Sequence, residues 1–171
     1  PILPLMQADL RFSDAAAGYL ASSNFAGYFA GAMLTSFFPL KRHRLFYFRG
    51  SLLIGIASTF VMGMTHSYAL MLAVRFLSGA ASAFIFVLAA GMVLDQLAAA
   101  GKNGYAGFFY SGVGLGIVLS AVFVPIFNQW WMWEGAWIGL SALSVMLSAC
   151  AWLWVKDSPV GRGQKDEPAV L

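Results

Sequence analysis

Charge is the scarcest resource in this chain. Of 171 residues, ten are Lys or Arg and seven are Asp or Glu, 10% in all, where soluble domains carry about 25%. The charges are also clustered. Ala15–Leu40, Gly50–Val74, Phe76–Leu94, Asn103–Trp133 and Gly135–Val155 contain none of the four. Each run is apolar and near or above the ~20 residues a helix needs to cross hydrocarbon. A charge at the bilayer centre costs roughly 2.5–3.5 kcal/mol on insertion scales, which is the physical reason spanning helices lose theirs. At 60% hydrophobic residues, a water-soluble domain would have too little polar surface to cover itself. The sequence predicts an all-α, polytopic transmembrane bundle.

Other absences exclude whole classes of chemistry. The single cysteine, Cys150, allows no intrachain disulfide, and there is no Asn-x-Ser/Thr sequon. No Gly-x-Ser-x-Gly elbow or His-Glu-x-x-His run occurs, so neither a hydrolase nor a zinc enzyme is indicated. His43 and His66 fall on opposite sides of the membrane in an alternating threading, which removes a shared metal site. Gly112-Val-Gly-Leu-Gly116 lacks the strand, the βαβ setting and the ribose-binding acid of a nucleotide turn. No cofactor, metal or nucleic-acid partner is expected. The net charge of +3 sits in short loops, where it acts as a topology signal. An intramembrane enzyme is the weakest reading, because no nucleophile has a base beside it.

What is present can be read along the chain. Pro1–Met6 reads as the end of a preceding span, and Gln7–Asp14 as a polar turn in which Ser13 or Asp14 caps the next helix. Helices are expected over about Ala15–Leu40, Leu45–Met64, Tyr68–Leu97, Tyr105–Phe127 (ending near Pro125) and Gly135–Val155. Trp130, Trp131 and Trp133 form an interfacial aromatic cluster. Residues 156–171 read as a polar linker or a cut end, and residues 1–155 as one transmembrane bundle. Alternate threading puts Lys41, Arg42, Arg44, Arg49, Lys102, Lys156, Arg162 and Lys165 on one side and only Arg11 among loop cations on the other. The positive-inside rule makes the first side cytoplasmic. The start, with Pro1 and no initiator Met or signal peptide, then lies outside, and a missing helix before Pro1 is the simplest repair.

Two rows of small residues recur every fourth position: Ser23, Gly27, Gly31, Thr35, and Gly112, Gly116, Ser120. Such rows let helix backbones approach in lipid, as static seams or as surfaces that slide. Arg75, Gly79, Ala83, Val87, Gly91 and Asp95 follow one another at the same spacing. Arg75 lies about seven residues past Tyr68, roughly 10 Å along the helix at 1.5 Å per residue. It is either a cation lining a polar cavity or a structural cation bonded to helix-end carbonyls. Asn24 is either an interhelical hydrogen bonder or a cavity polar group. Asp95 is expected to pair with the basic Lys41–Arg49 connector, as part of the cytoplasmic gate or topology set with Lys41, Arg42 and Arg44.

The basic loop after the first visible span, the Arg75-Phe-Leu-Ser-Gly79 segment and the Gly-rich run after residue 111 resemble the N-terminal half of a major facilitator superfamily transporter. Pro1-Ile-Leu-Pro-Leu-Met-Gln-Ala-Asp9, Ser13-Asp-Ala-Ala-Ala-Gly18, Gly112-Val-Gly-Leu-Gly116 and Gly135-Ala-Trp-Ile-Gly139 are similar to the bacterial YbfB/YjiJ branch. The resemblance implies that Pro1–Met6 is the exit of the family's first helix and that the visible spans are its second to sixth. Arg75 and Gly79 then match the Arg and Gly of the family's fourth-helix motif, where the Arg serves proton coupling or substrate binding. The family's loop motif survives as Gly31 and Lys41-Arg42-His43-Arg44, without its Asp, and its antiporter signature is only partly present.

The expectation is therefore one six-helix half of a major facilitator fold with most of its first helix missing. Its function is secondary active transport of a small solute across the bacterial inner membrane, by alternating access and driven by protons. Membrane lipid, an unidentified solute and a C-terminal bundle of the same transporter are the implied partners. The rival is a non-transporting membrane scaffold or assembly subunit, for which the small-residue rows are oligomer interfaces.

Overall fold

A computed structural model describes residues 2–37 and 43–155. Among them the chain is helical: α1 Leu3–Leu10, α2 Asp14–Phe37, α3 Arg44–Met62, α4 Tyr68–Ala99 and α5 Ala106–Trp154, with a 3-10 turn at Asn103–Tyr105 before α5. Lys41 and Arg42, the expected helix end at Pro39–Leu40, and the tail after Val155 lie outside the described residues.

Three of these helices, α3, α4 and the long α5, are long and apolar enough to cross a membrane. α2 is long enough, and Asp14 is its only charge, but Gly, Ser, Asn and Tyr dilute its hydropathy. Five spans were expected from the absence of charge; among the described residues the three helices that also meet the apolarity condition take in four of them, because α5 runs through both the fourth and the fifth. The outward faces carry large apolar side chains, among them Phe25 at 73%, Phe46 at 74% and Phe108 at 75% exposure. A water-soluble monomer rarely exposes apolar surface on that scale, and lipid is the solvent that tolerates it.

The ends of the helices follow local chemistry. The Ser13 hydroxyl accepts the Ala16 N–H at 3.2 Å, the N-cap bond expected of it. α4 stops at Gly101, whose φ of +67 suits a residue without Cβ, with Lys102 N–H returning to the Leu97 carbonyl. Gln7–Leu10 departs from the expected turn: these residues continue α1, which Pro4 starts, and Arg11 ends it in the left-handed region. The helix persists there because its polar residues find partners, Gln7 on Asp14 and Asp9 on Trp133.

Pro125 does not end its helix. The chain stays helical through it, as membrane helices permit, and breaks at Trp131 and Met132, whose backbone angles are non-helical. Met132 has φ 51 and ψ −149, a region that essentially only glycine occupies without strain. The second limb of α5 then folds back on the first. At Gly139 a Cβ would run into the Phe127 ring, so glycine makes that return possible.

Two apolar clusters hold the helices. Met6, Leu20, Met62, Met71, Val124, Trp133 and Ala136 pack at one end of the bundle, and Phe48, Leu88 and Met92 at the other. Trp133 departs from the interfacial reading: it is 1% exposed, whereas Trp130 and Trp131 are 75% and 69% exposed. The chain reversal at residues 131–132 turns it inward, and its indole N–H meets Asp9 at 2.8 Å.

Candidate functional site: a cation-lined cavity

The seam between α2 and α4 positions the site. A Cβ on Gly27 would overlap the Phe76 carbonyl, and one on Gly79 would overlap the Asn24 carbonyl. A Cβ on Gly31 would likewise come within 2.7 Å of the Ala80 carbonyl oxygen. Only glycine allows these backbones to touch. Two side chains then bond across the contact: the Ser23 hydroxyl donates to the Leu72 carbonyl at 2.8 Å and Asn24 Nδ2 to the Arg75 carbonyl at 2.9 Å. Asn24 therefore holds the backbone of the residue whose side chain lines the cavity. Thr35, last of the row, donates to Ala32 in its own helix.

Arg75 is half-buried and lines two adjoining cavities, of about 240 and 320 Å³. Ser120, Trp137 and Leu140 line both with it. The first is closed by Ile2, Met6, Leu20 and Met62; the second is flanked by Thr59, Ser78 and Ser144. Neither wall includes Asn24 or any Asp or Glu among the described residues. The guanidinium carbon of Arg75 stands 5.4 Å from the centre of the Trp137 ring, within cation–π range. Trp137 is fixed in turn by its N–H, 3.2 Å from the Met6 sulfur. No described carbonyl or carboxylate accepts a hydrogen bond from the guanidinium, so the helix-end carbonyls considered for it are not among its described partners.

The second row behaves differently. Nothing lies within 4 Å of a Cβ built on Gly112 or Gly116. Ser120, at its end, donates to Ile117 of its own helix and faces the cavities. At the Arg44 end, Arg44 and Asp95 form an ion pair, which ties the start of α3 to the end of α4. Nearby, the Arg49 guanidinium stacks 4.5 Å over the Trp152 ring and donates to the Trp152 carbonyl. At the opposite end His66 Nε2 lies 3.4 Å from Glu134 Oε1. The described residues contain no group of His, Cys, Asp and Glu able to hold a metal.

Sequence reasoning found Arg75 and the seam but not Trp137, Met6 or Thr59. Those residues sit in uniformly apolar runs, where nothing marks the face that turns toward a distant cation. The single hint was the placement of Trp137 between two glycines, Gly135 and Gly139, which allow close packing around it.

A search of curated proteins finds no match, and neither does a search of solved structures. A family model described as uncharacterised MFS-type transporter YbfB matches residues 1–169. With nearly the whole sequence covered, the chain belongs to the YbfB-like family of major facilitator superfamily transporters.

Proposed function

We propose that this chain works in secondary active transport, moving a small solute across the bacterial inner membrane by alternating access coupled to protons. Family membership supports membrane transport rather than enzymatic chemistry. The observation that carries the reading to a site is Arg75: a cation inside a helical bundle, with an aromatic ring over it and no protein acceptor among the described residues. A charge kept in that setting at a cost of several kcal/mol is retained for what it binds.

In this reading Arg75 is the cavity cation, and Asn24 positions it through the α4 backbone. The α2/α4 contact with Gly79 fixes the cavity wall. The open row of Gly112, Gly116 and Ser120 gives α5 a smooth face for relative motion against a second bundle of the same transporter. The positive-inside rule orients Arg44 and Asp95, with Lys41 and Arg42, toward the cytoplasm.

Solute uptake into cells or proteoliposomes carrying Arg75→Ala and Arg75→Lys tests this. Uptake falls at least about 100-fold for Ala if Arg75 contributes a charge-assisted hydrogen bond worth roughly 3 kcal/mol, with partial retention for Lys. Full activity in both variants removes Arg75 from the mechanism. A scaffold would instead show no solute-dependent protection of single-Cys variants at Ser120 and Thr59 from a thiol reagent.

A further inference from the structure

The cavity around Arg75 has a chemistry narrow enough to name a class of solute. Its charge is one-sided: Arg75 is the sole ionisable group among the described lining residues of the two spaces. In a setting of low dielectric, one bound negative charge neutralises it, while a second would be left unpaired at high cost.

Of the four hydroxyls that line the cavity, those of Thr59 and Ser120 are committed, and those of Ser78 and Ser144 have no hydrogen-bond partner among the described residues. Thr59 donates to the Gly55 carbonyl at 2.8 Å and Ser120 to the Ile117 carbonyl at 2.8 Å, so neither proton is offered to a solute. A sugar or polyol must replace many hydrogen bonds to water, and would find only the Ser78 and Ser144 hydroxyls and the guanidinium to replace them. The apolar walls include Leu20, Met62, Leu140, Leu143 and the ring of Trp137. Trp137 spends its N–H on Met6 and therefore offers a face, not a donor. A guanidinium over that face leaves its in-plane N–H groups, which form the fork that carboxylates fit in bidentate fashion. Volumes of about 240 and 320 Å³ lie just below and at the bottom of the ~300–1,000 Å³ of ordinary ligand pockets, so the solute is small.

We propose that the Arg75–Trp137 cavity takes a small monocarboxylate with an apolar body. The carboxylate sits on the Arg75 guanidinium, and the body lies against Trp137, Leu140 and Met62. This rests on the transporter reading, deepens it, and can fail separately from it.

The test is saturable binding of radiolabelled hexanoate to the chain in lipid nanodiscs, with unlabelled competitors. Hexanamide, adipate and acetate should each compete at least about tenfold less well than hexanoate, because they lack respectively the charge, the single charge and the apolar body. Arg75→Gln should abolish binding and Arg75→Lys should retain a weakened fraction, both with wild-type size-exclusion profiles and helix content. Trp137→Leu should weaken it about tenfold. Equal competition by hexanamide, stronger competition by adipate, no saturable hexanoate binding, or full binding by Arg75→Gln would overturn the proposal. Flux in proteoliposomes, measured above protein-free vesicles, separates the two claims. Binding with no flux of any solute sinks transport and leaves the monocarboxylate site. Flux of another solute that hexanoate does not inhibit sinks the monocarboxylate site and leaves transport.

Discussion

The row beginning at Ser23 and the row beginning at Gly112 are nearly the same device in sequence, and they meet opposite fates in the fold. Gly27 and Gly31 lie against the α4 backbone, with Gly79 pressing back from the other side. A Cβ on Gly112 or Gly116 would meet nothing within 4 Å, and Gly116 borders the second cavity. The difference is not in the glycines. The closed row is accompanied by Ser23 and Asn24, whose side chains donate across to α4 carbonyls. At the open row, Ser120 and Ser111, the residue just before Gly112, both donate within their own helix. Small spacing makes approach possible; polar groups aimed across the gap identify where a partner from the same chain has been found.

The largest effect that could break this comparison is at the seam itself. Gly79→Val should destabilise the purified chain by about 3 kcal/mol, the upper end of ordinary overpacking. Gly116→Val should change its stability by less than about 0.5 kcal/mol. Thermal unfolding in detergent reads both, and equal losses would mean the two rows are equivalent after all. Asn24→Ala comes next, at about 1 kcal/mol, within the measured range for interhelical hydrogen bonds in membranes; no loss would leave the glycines alone as the holding force.

Met132→Gly sharpens the contrast from the other side. Removing the Cβ from a backbone at φ 51 should stabilise the chain reversal by about 1 kcal/mol, and a drop in melting temperature would show that this backbone is not where the strain resides. Smallest is Asp95→Asn. Its ion pair with Arg44 is partly exposed, the carboxylate side chain at 48%, so the loss should stay below about 1 kcal/mol and shrink further in high salt.

Much of this was readable beforehand because each feature left a mark in residue type. The helices at Tyr68–Ala99 and Arg44–Met62 fall within a few residues of the boundaries expected from charge and turn residues. Ser13 capped as expected, and Asp95 met the basic connector through Arg44. Other features depend on contacts between distant segments. The length of α1 is settled by Trp133 reaching Asp9, and the inward turn of Trp133 by a two-residue break that no proline or glycine announces. Pro125, the visible breaker, was passed over because the membrane setting tolerates it. The apolar count alone could not separate α2 from the helices that also meet the hydropathy condition.

Where the Phe76 carbonyl rests on Gly27 and the Asn24 carbonyl on Gly79, no side-chain rotamer stands between the two helices to be rearranged. Displacement of one cannot be absorbed at the joint; α2 and α4 must travel together, as a single beam. Any tilt given to α2 would then reach Arg75 undiminished.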